Sequence, residues 1–186
     1  MVRLELLQDG DFETIAQWNE GKTADFVTQW AGPGYALPLT AEKLKEYNAG
    51  YNTPGGSQFI YRIMDDTTNE MIGTVQLLRI DREAGTAVVG RFLIGAENLR
   101  GKGMGQEALA LITHKGFDEF ALNKLALNVY DHNIGAIMCY EKVGYVKAVY
   151  KPDAVQSQNG AWGSWHMALD RDRWHTLASI DWRAMS

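Results

Sequence analysis

The sequence has few of the features that mark secreted, disulfide-bonded or membrane-spanning proteins. Cys139 is the only cysteine among 186 residues, so no intramolecular disulfide can form. No apolar run approaches the ~20 residues that a membrane-spanning helix needs, and residues 1–10 show no signal peptide. We therefore expect a protein of the reducing cytoplasm with no membrane partner.

Basic charge is also scarce. The chain has 18 Lys and Arg against 23 Asp and Glu, which gives a net charge of -5. A protein that binds duplex nucleic acid normally has the opposite balance, so we expect no nucleic-acid partner. Internal repeats, low-complexity segments and long linkers are missing too. With 46% hydrophobic residues, this composition predicts a single globular domain over residues 1–186.

The apolar pattern predicts an α/β fold. Strand-like runs occupy residues 3–7, 58–64, 71–80, 86–94, 124–130, 145–150 and 164–169. Helices are expected to about Trp18 after a cap at Asp9 or Asp11, over 41–48 after a cap at Thr40, around 108–116 and over 134–143. Short polar connections between the strands at 58–64, 71–80 and 86–94 indicate an antiparallel meander. The order predicts a mixed sheet of about six to seven strands with flanking helices.

Several segments allow more than one interpretation. Residues 21–39 contain Gly32-Pro33-Gly34, which favours turns. Residues 151–163 are predicted to form a long polar loop that covers a bound ligand, joins a homodimer or has no function. Trp18, Trp30 and Tyr35 either line a ligand pocket or cap the core. Trp174 and Trp182, near the C-terminus, are expected to pack back onto the body.

The most informative segment is the glycine-rich stretch at residues 98–105. It lies between a predicted strand and a predicted helix, and Gly101, Gly103 and Gly105 alternate with other residues. Glycines let the backbone approach a ligand closely, and the helix N-terminus that follows favours phosphate. Arg100 and Lys102 add cationic partners for the same anion. The pattern predicts a pyrophosphate site, with a simple tight turn as the alternative.

Two other phosphate motifs match this segment less well. A Walker-type loop fails, because Gly103 follows Lys102 and Ala96 stands where the first glycine is required. The relaxed dinucleotide fingerprint is satisfied by Gly103, Gly105 and Ala108. That fingerprint belongs to the first turn of a series of βαβ units, whereas here it follows a predicted antiparallel meander. A nicotinamide-dependent enzyme therefore stays as a distant alternative.

Two segments resemble the signatures of the GNAT N-acetyltransferase superfamily. Residues 100–105 resemble its coenzyme A loop, Arg-x-x-Gly-x-Gly. Residues 133–145 read Asn-Ile-Gly-Ala-Ile-Met-Cys-Tyr-Glu-Lys-Val-Gly-Tyr and resemble the family's Asn-x-x-Ala-x-x-x-Tyr-Glu-Lys-x-Gly-Phe, with Tyr145 as the one departure. The clear resemblance covers residues 86–150. It implies a twisted, mainly antiparallel sheet that splays open in its middle.

The resemblance also implies where acetyl-CoA, the acetyl donor and cosubstrate, is bound. It lies in the opening of the sheet, with its pantetheine arm on the strand that ends near Ile94 and its pyrophosphate on the glycine loop. Asn133 contacts it near the thiol end. The predicted cofactor-binding residues are Leu93, Ile94, Gly95, Arg100, Gly101, Lys102, Gly103, Met104, Gly105 and Asn133, and no metal is expected.

Acetyl transfer by direct attack of an amine within a ternary complex needs a neutral amine, a stabilised oxyanion and a proton for the leaving thiolate. A backbone N–H suffices for the oxyanion, and a phenol of pKa ~10 can donate to a thiolate of pKa ~8.5. Tyr140 matches the family's tyrosine and is the predicted catalytic donor. Many relatives have a glutamate base where this chain has Val88, and Arg91 is the only charged residue within that strand. No base is assigned.

The sequence therefore predicts an acetyl-CoA-dependent N-acetyltransferase acting on a primary amine. The main alternative is a non-catalytic acyl-CoA-binding or sensing domain, which Val88 favours and Tyr140 disfavours. The acceptor stays open between a small amine, an antibiotic, a polyamine and a protein amino group. The four histidines show no metal-like spacing, and Cys139 is interpreted as a small buried residue.

Overall fold

A computed structural model of the chain describes residues 1–158 and 160–178. Seven strands form one sheet in the order β1-β2-β3-β4-β5-β7-β6. Neighbouring strands are antiparallel except for the parallel pair β4 and β5. This confirms the predicted mixed, mainly antiparallel sheet. The strands are β1 (Val2–Leu6), β2 (Phe59–Asp65), β3 (Met71–Asp81), β4 (Thr86–Ile94), β5 (Lys124–Tyr130), β6 (Val146–Ser157) and β7 (Gly160–Asp170).

Helices cover both faces of this sheet. Ile60 packs into an apolar cluster with α1, α2 and α3, whereas the next residue, Tyr61, packs into the cluster that contains α4 and α5. Successive residues of a strand point to opposite faces, so the two clusters lie on opposite sides. The helices are α1 (Asp11–Trp18), α2 (Ala24–Ala31), α3 (Ala41–Tyr47), α4 (Met104–His114), α5 (Ile134–Val143) and α6 (Arg171–Ala178), and a π-helical turn (Lys115–Glu119) extends α4.

The predicted cap of α3 is confirmed and that of α1 is wrong. The Thr40 hydroxyl accepts a hydrogen bond from Lys43 N at 3.3 Å. The N-cap of α1 is Gly10, which has no side-chain cap. The two nearby carboxylates have other partners, because Asp9 accepts from the Tyr51 hydroxyl at 2.6 Å and Asp11 from Arg62 at 3.2 Å.

A helix that the sequence analysis did not predict, α2, lies within residues 21–39. The Thr23 hydroxyl caps it by accepting from Phe26 N at 3.1 Å. The helix buries Val27 and Ala31 and stops at Gly32, whose φ of 78° is left-handed. The Gly32-Pro33-Gly34 segment therefore marks the end of a helix. The sequence analysis did not use the cap at Thr23, which marks its start.

The predicted loop at residues 151–163 is also wrong, because most of it is strand. Strand β6 continues to Ser157 and β7 begins at Gly160, so the two form a long hairpin. Lys151 pairs with Ser164 and Val155 with Trp162, so a bulge in β6 lies between the two pairs. A proline is tolerated at such a bulge, and Pro152 lies there.

The C-terminal prediction is confirmed where the structure describes it. Trp174 of α6 is buried, and its ring centroid lies 6.4 Å from that of Phe117. Trp182 lies outside the described residues. Over residues 1–158 and 160–178, the helices are too short or too polar to cross a membrane.

Candidate active site

The sheet opens between β4 and β5. These strands pair only from Thr86 with Lys124 to Val88 with Ala126. Beyond that point β5 stays paired with β7 and β4 with β3, so the two halves of the sheet diverge. The opening forms a cleft of about 600 Å³, which is a typical size for a ligand site.

A bulge in β4 shapes one wall of this cleft. Thr74 pairs with Leu93 and Gln76 with Gly90, so two residues of β4 lie opposite one residue of β3. One of the two is Arg91, whose φ is 45°. Such a bulge breaks the ladder locally and redirects a side chain. The walls of the cleft come from residues 89–94 of β4, residues 127–129 of β5, α2, the glycine loop and α5.

The glycine loop has the geometry that a phosphate site requires. Gly101 and Gly103 have left-handed φ values of 75° and 82°, and a Cβ on either would meet no atom within 4 Å. The side of the loop on which these Cβ atoms would lie is therefore open to a ligand. Gly103 is the N-cap of α4 without a side-chain cap, and the first bond of the helix runs from Glu107 N to Gly103 O at 3.0 Å. The preceding N–H groups of the first turn have no partner within the helix and are available to an anion.

The two cations predicted to bind the anion, Arg100 and Lys102, differ in their position relative to the cleft. Arg100 lines the cleft, but its Nε donates to Ile94 O at 2.9 Å and its Nη1 lies 3.5 Å from Glu97. Glu97 also pairs with Lys22 at 2.8 Å, and the two cations lower the pKa of this carboxyl. Lys102 is exposed and does not line the cleft.

Two further predicted residues lie outside the cleft wall. Gly95 packs against Trp18, since a Cβ on Gly95 would overlap the indole ring, and its N–H already donates to Ile72 O at 2.9 Å. Met104 opens α4 but is not part of the lining. The remaining predicted binding residues line the cleft: Leu93, Ile94, Arg100, Gly101, Gly103, Gly105 and Asn133.

Helix α5 supplies the opposite wall. Asn133 caps it, with Oδ1 accepting from Ala136 N at 3.2 Å, and Gly144 ends it in a left-handed conformation. The predicted cofactor contact, Asn133, therefore also fixes the start of this helix. About two turns later the helix places Tyr140 in the cleft wall.

Tyr140 is partly buried, and no hydrogen bond to its hydroxyl is described in residues 1–158 and 160–178. Its low-polarity surroundings raise the pKa of the phenol, and the neighbouring Cys139 and Tyr145 add smaller contributions in the same direction. The phenol is consequently protonated at neutral pH, which is the state that a proton donor requires. The other buried tyrosine nearby, Tyr145, is bonded to Thr113 at 3.0 Å.

Cys139 also lines the cleft, but burial raises the pKa of its thiol to about 11. A thiol of this pKa is a poor nucleophile at neutral pH, because the thiolate is the reactive form. The described residues contain no group of three or more His, Cys, Asp or Glu side chains arranged to hold a metal ion.

The lining of the cleft contains no Asp, Glu or His among the described residues, and its cations are Arg91, Arg100 and Lys142. Val88, where the resemblance implies a glutamate, is the last residue of β4 that pairs with β5. Sequence reasoning missed Phe26 and Gln29, which α2 brings into the cleft beside Trp30. The cap at Thr23, followed by Val27 and Ala31 at helical spacing, is the signal that could have found them.

The sequence matches known acetyltransferases over most of its length. The model of the GNAT acetyltransferase domain matches residues 2–146. The probable N-acetyltransferase YjcK of Bacillus subtilis (strain 168) is 35% identical over 148 residues, which are 77% of this chain and 79% of that protein. The SPbeta prophage-derived uncharacterized N-acetyltransferase YokL of the same strain is 32% identical over 82 residues, or 44% of this chain and 45% of that protein.

Solved structures show the same fold. A spermidine N-acetyltransferase from Vibrio cholerae, solved in complex with CoA and spermine, superposes with a TM-score of 0.78 over 94% of this chain and 98% of that chain, at 19% identity. At this identity the superposition is evidence of the fold alone. The domain match and the YjcK relationship agree with the open sheet and its glycine loop. The chain therefore belongs to the GNAT family and is an acetyl-CoA-dependent N-acetyltransferase.

Proposed function

We propose that the cleft between β4 and β5 is the active site, with the acetyl donor and the acceptor amine bound together in it. The observation that carries this proposal is the uncapped start of α4 beside the open face of Gly101 and Gly103. Its free N–H groups match a pyrophosphate. The pantetheine arm then follows Leu93 and Ile94, and Asn133 lies near its thiol end.

Acetyl-CoA supplies a thioester, whose acetyl carbon the amine attacks and whose thiolate leaves. The residues of the chain orient the reactants and move a proton. The open edge of β4 offers backbone N–H groups to the carbonyl oxygen, on which negative charge develops. Tyr140 gives its phenolic proton to the leaving sulfur and takes a proton back from solvent. Burial raises the pKa of this phenol, so it is protonated at neutral pH and its O–H group can donate to the departing sulfur.

The acceptor amine has to lose its proton without a side-chain base in the cleft wall, which has no carboxylate or imidazole among the described residues. Near pH 7.4 only about one lysine-like amine in a thousand is neutral, so forming the neutral amine costs roughly 4 kcal/mol. Water in the open cleft carries this proton to bulk solvent. An acceptor with a lower amine pKa has a lower cost and is favoured.

The acceptor enters on the α2 side, where Phe26 and Trp30 supply aromatic surface. Structural neighbours act on spermidine, a polycation. Carboxylates that would match several positive charges are not found in the cleft wall of the described chain, and its charged residues are all cations. We therefore favour an acceptor with one amine over a polyamine.

The first test is the melting temperature with acetyl-CoA, with NAD as the control. A ligand at a hundred times its dissociation constant adds ~2.7 kcal/mol to the free energy of unfolding. At roughly 2–4 °C per kcal/mol for a chain of this size, acetyl-CoA is expected to raise the melting temperature by about 5–11 °C. No shift with acetyl-CoA, or an equal shift with NAD, would remove the placement of the donor in this cleft.

A further inference from the structure

Arg91 is a partly buried cation with no carboxylate partner in the described structure. Its Nη1 donates to Asn48 Oδ1 at 2.9 Å and to Gln76 Oε1 at 3.2 Å, and both acceptors are neutral amides. Its guanidinium carbon lies 4.5 Å from the centroid of the Tyr35 ring. Other partly buried arginines of the sheet differ, since Arg62 pairs with Glu5 and Asp11.

The network that holds Arg91 is itself buried and neutral. Asn48, Gln76 and Tyr35 are only 1%, 3% and 6% exposed. Asn48 Oδ1 also accepts from the Tyr35 hydroxyl at 3.0 Å and from Gln58 at 2.9 Å. These groups fix the position of the guanidinium and leave its charge uncompensated. A charge removed from water without a counterion is unfavourable, so the arrangement suits a site that an external anion completes.

The free edge of the guanidinium is available to such an anion. Only Nη1 has hydrogen bonds in residues 1–158 and 160–178, so the edge formed by Nε and Nη2 is unoccupied, and Arg91 lines the cleft. Two parallel N–H groups on one edge of a guanidinium match the two oxygens of a carboxylate. The backbone bulge at Arg91 places the residue at the point where the sheet opens.

Arg91 lies on the face opposite the phosphate site. Its partners Tyr35 and Asn48 belong to the layer of α1, α2 and α3, whereas the glycine loop leads into α4 on the other face. An anion at Arg91 therefore belongs to the acceptor. Leu93, where the donor is proposed to lie, follows two residues later in the same bulged stretch of β4. The amine and the anion of the acceptor therefore both lie within the same cleft of about 600 Å³.

We infer that the acceptor is an amine that also bears a carboxylate, an amino-acid-type compound whose carboxylate binds Arg91. This inference rests on the proposed position of acetyl-CoA and amine in the cleft. It specifies the substrate class of that site: the carboxylate holds the acceptor by its guanidinium contact, while the aromatic surface of Phe26 and Trp30 contacts the rest of the molecule.

The test compares matched acceptors by thiol release from acetyl-CoA. Amino acids are paired with the amines that lack their carboxylate, for instance phenylalanine with phenethylamine and lysine with cadaverine, and spermidine is added. The wild-type protein is expected to favour the carboxylate-bearing member of at least one pair by about tenfold or more in kcat/KM. Arg91→Met should remove this preference, chiefly through KM. Arg91→Lys should restore part of it, because the charge returns without the bidentate edge.

Arg79→Met is the matched control, since Arg79 is an exposed cation on the neighbouring strand β3 and its φ of 52° is similarly left-handed. This variant should keep the preference. The acetyl-CoA shift in melting temperature separates the two proposals: a normal shift combined with equal or better turnover of the decarboxylated amines overturns only the substrate class. No turnover of any carboxylate-bearing acceptor also overturns it. The wild-type comparison decides the question even where Arg91→Met does not fold.

Discussion

At the scale of single residues, the proposed function depends on groups that have no described hydrogen-bond partner. The hydroxyl of Tyr140 is not hydrogen-bonded in the described structure, whereas that of Tyr145, five residues later, is bonded to Thr113 at 3.0 Å. Both phenols have a raised pKa, and burial is the main cause in each case. Only Tyr140 also lines the cleft. Tyr140 and Tyr145 are close in sequence but have different surroundings. Tyr140 is therefore a catalytic candidate, whereas Tyr145 is a core residue.

Tyr140→Phe is expected to lower kcat by about 10²-fold or more, because general acid catalysis typically contributes 10²–10⁴-fold. The variant should keep the melting temperature and its shift with acetyl-CoA, since the ring stays and no described hydrogen bond is lost. Steady-state thiol release measures the first expectation and thermal melting the second.

Tyr150→Phe is the control for this prediction. It removes a hydroxyl that donates to Asp131 at 2.7 Å from a tyrosine outside the cleft lining, and turnover should be unchanged. Wild-type turnover in Tyr140→Phe would show that the proton for the leaving thiolate comes from another group or from water.

At the scale of elements, the proposed donor site depends on the way one helix begins. Helices α2, α3 and α5 begin with a side-chain cap, from Thr23, Thr40 and Asn133 respectively. Helix α4 begins instead at Gly103, without such a cap. Its first N–H groups and its positive dipole end are therefore left to an external anion.

Gly103→Ala tests this element. A non-glycine residue at a φ of 82° is strained by roughly 1–2 kcal/mol, so the melting temperature should fall by about 2–8 °C. The added methyl group would also face the phosphate site, and the affinity for acetyl-CoA should fall at least about tenfold. Isothermal titration with acetyl-CoA measures the affinity.

Gly50→Ala is the matched control, because Gly50 has nearly the same φ of 79°, equal space for a Cβ and a position outside the cleft lining. It should show a similar loss of melting temperature with normal acetyl-CoA affinity. Equal affinities in both variants would argue against the loop as the pyrophosphate site.

At the scale of the whole molecule, charge pairs connect the N-terminal strand to the rest of the sheet. Glu5 of β1 accepts from Arg3 and from Arg62 of β2, both at 2.7 Å, and Arg62 continues to Asp11 of α1. The hydrogen bonds from Arg3 and then Arg62 lower the pKa of Glu5 below its usual 4.5. The network joins β1, β2 and α1 far from the cleft.

The lowered pKa of Glu5 predicts the sign of a pH effect. A carboxyl whose pKa is lower in the folded state stabilises the fold above its unfolded pKa, near 4.5, and loses this contribution as the pH falls through the folded value. Glu5→Gln should therefore melt at a lower temperature than wild type at pH 7, and the difference should shrink below about pH 4. The effect is expected to be small, since the pair is solvent-accessible.

Thermal melting of both proteins from pH 7 to pH 3 checks this prediction. Glu13→Gln serves as the control, because no ion pair of Glu13 is described in residues 1–158 and 160–178. A Glu5→Gln difference that is constant over this pH range would mean that the carboxylate charge does not contribute to stability.

Local sequence patterns predicted many of the helices and strands and the glycine loop. The helix over Ile134–Val143 and its stop at Gly144, the strand over Lys124–Tyr130 and the meander of β2, β3 and β4 follow from short-range periodicity and turn residues, which act over a few neighbours. The glycine loop was predicted for the same reason, since backbone conformation and helix start are local properties. The predictions for residues 21–39 and 151–163 were wrong because both segments contain turn-forming residues. The first nevertheless has a helix cap at Thr23, and the second is held as strand by the pairing of β6 with β7.

Only the tertiary structure decided which side chains line the cleft and which contacts hold them. The divergence of β4 from β5, the packing of Trp18 against Gly95 and the meeting of Arg91 with Asn48 and Gln76 join residues that are distant in sequence. No periodicity encodes such contacts, because they depend on the order of strands and on which face each helix covers. That residues 1–186 form one domain, and that the chain forms a homodimer, stay predictions. The sequence by itself determined the family and the local elements that form the proposed donor site, because both depend on short-range patterns; the pairing of distant strands and helices decided which side chains line the cleft.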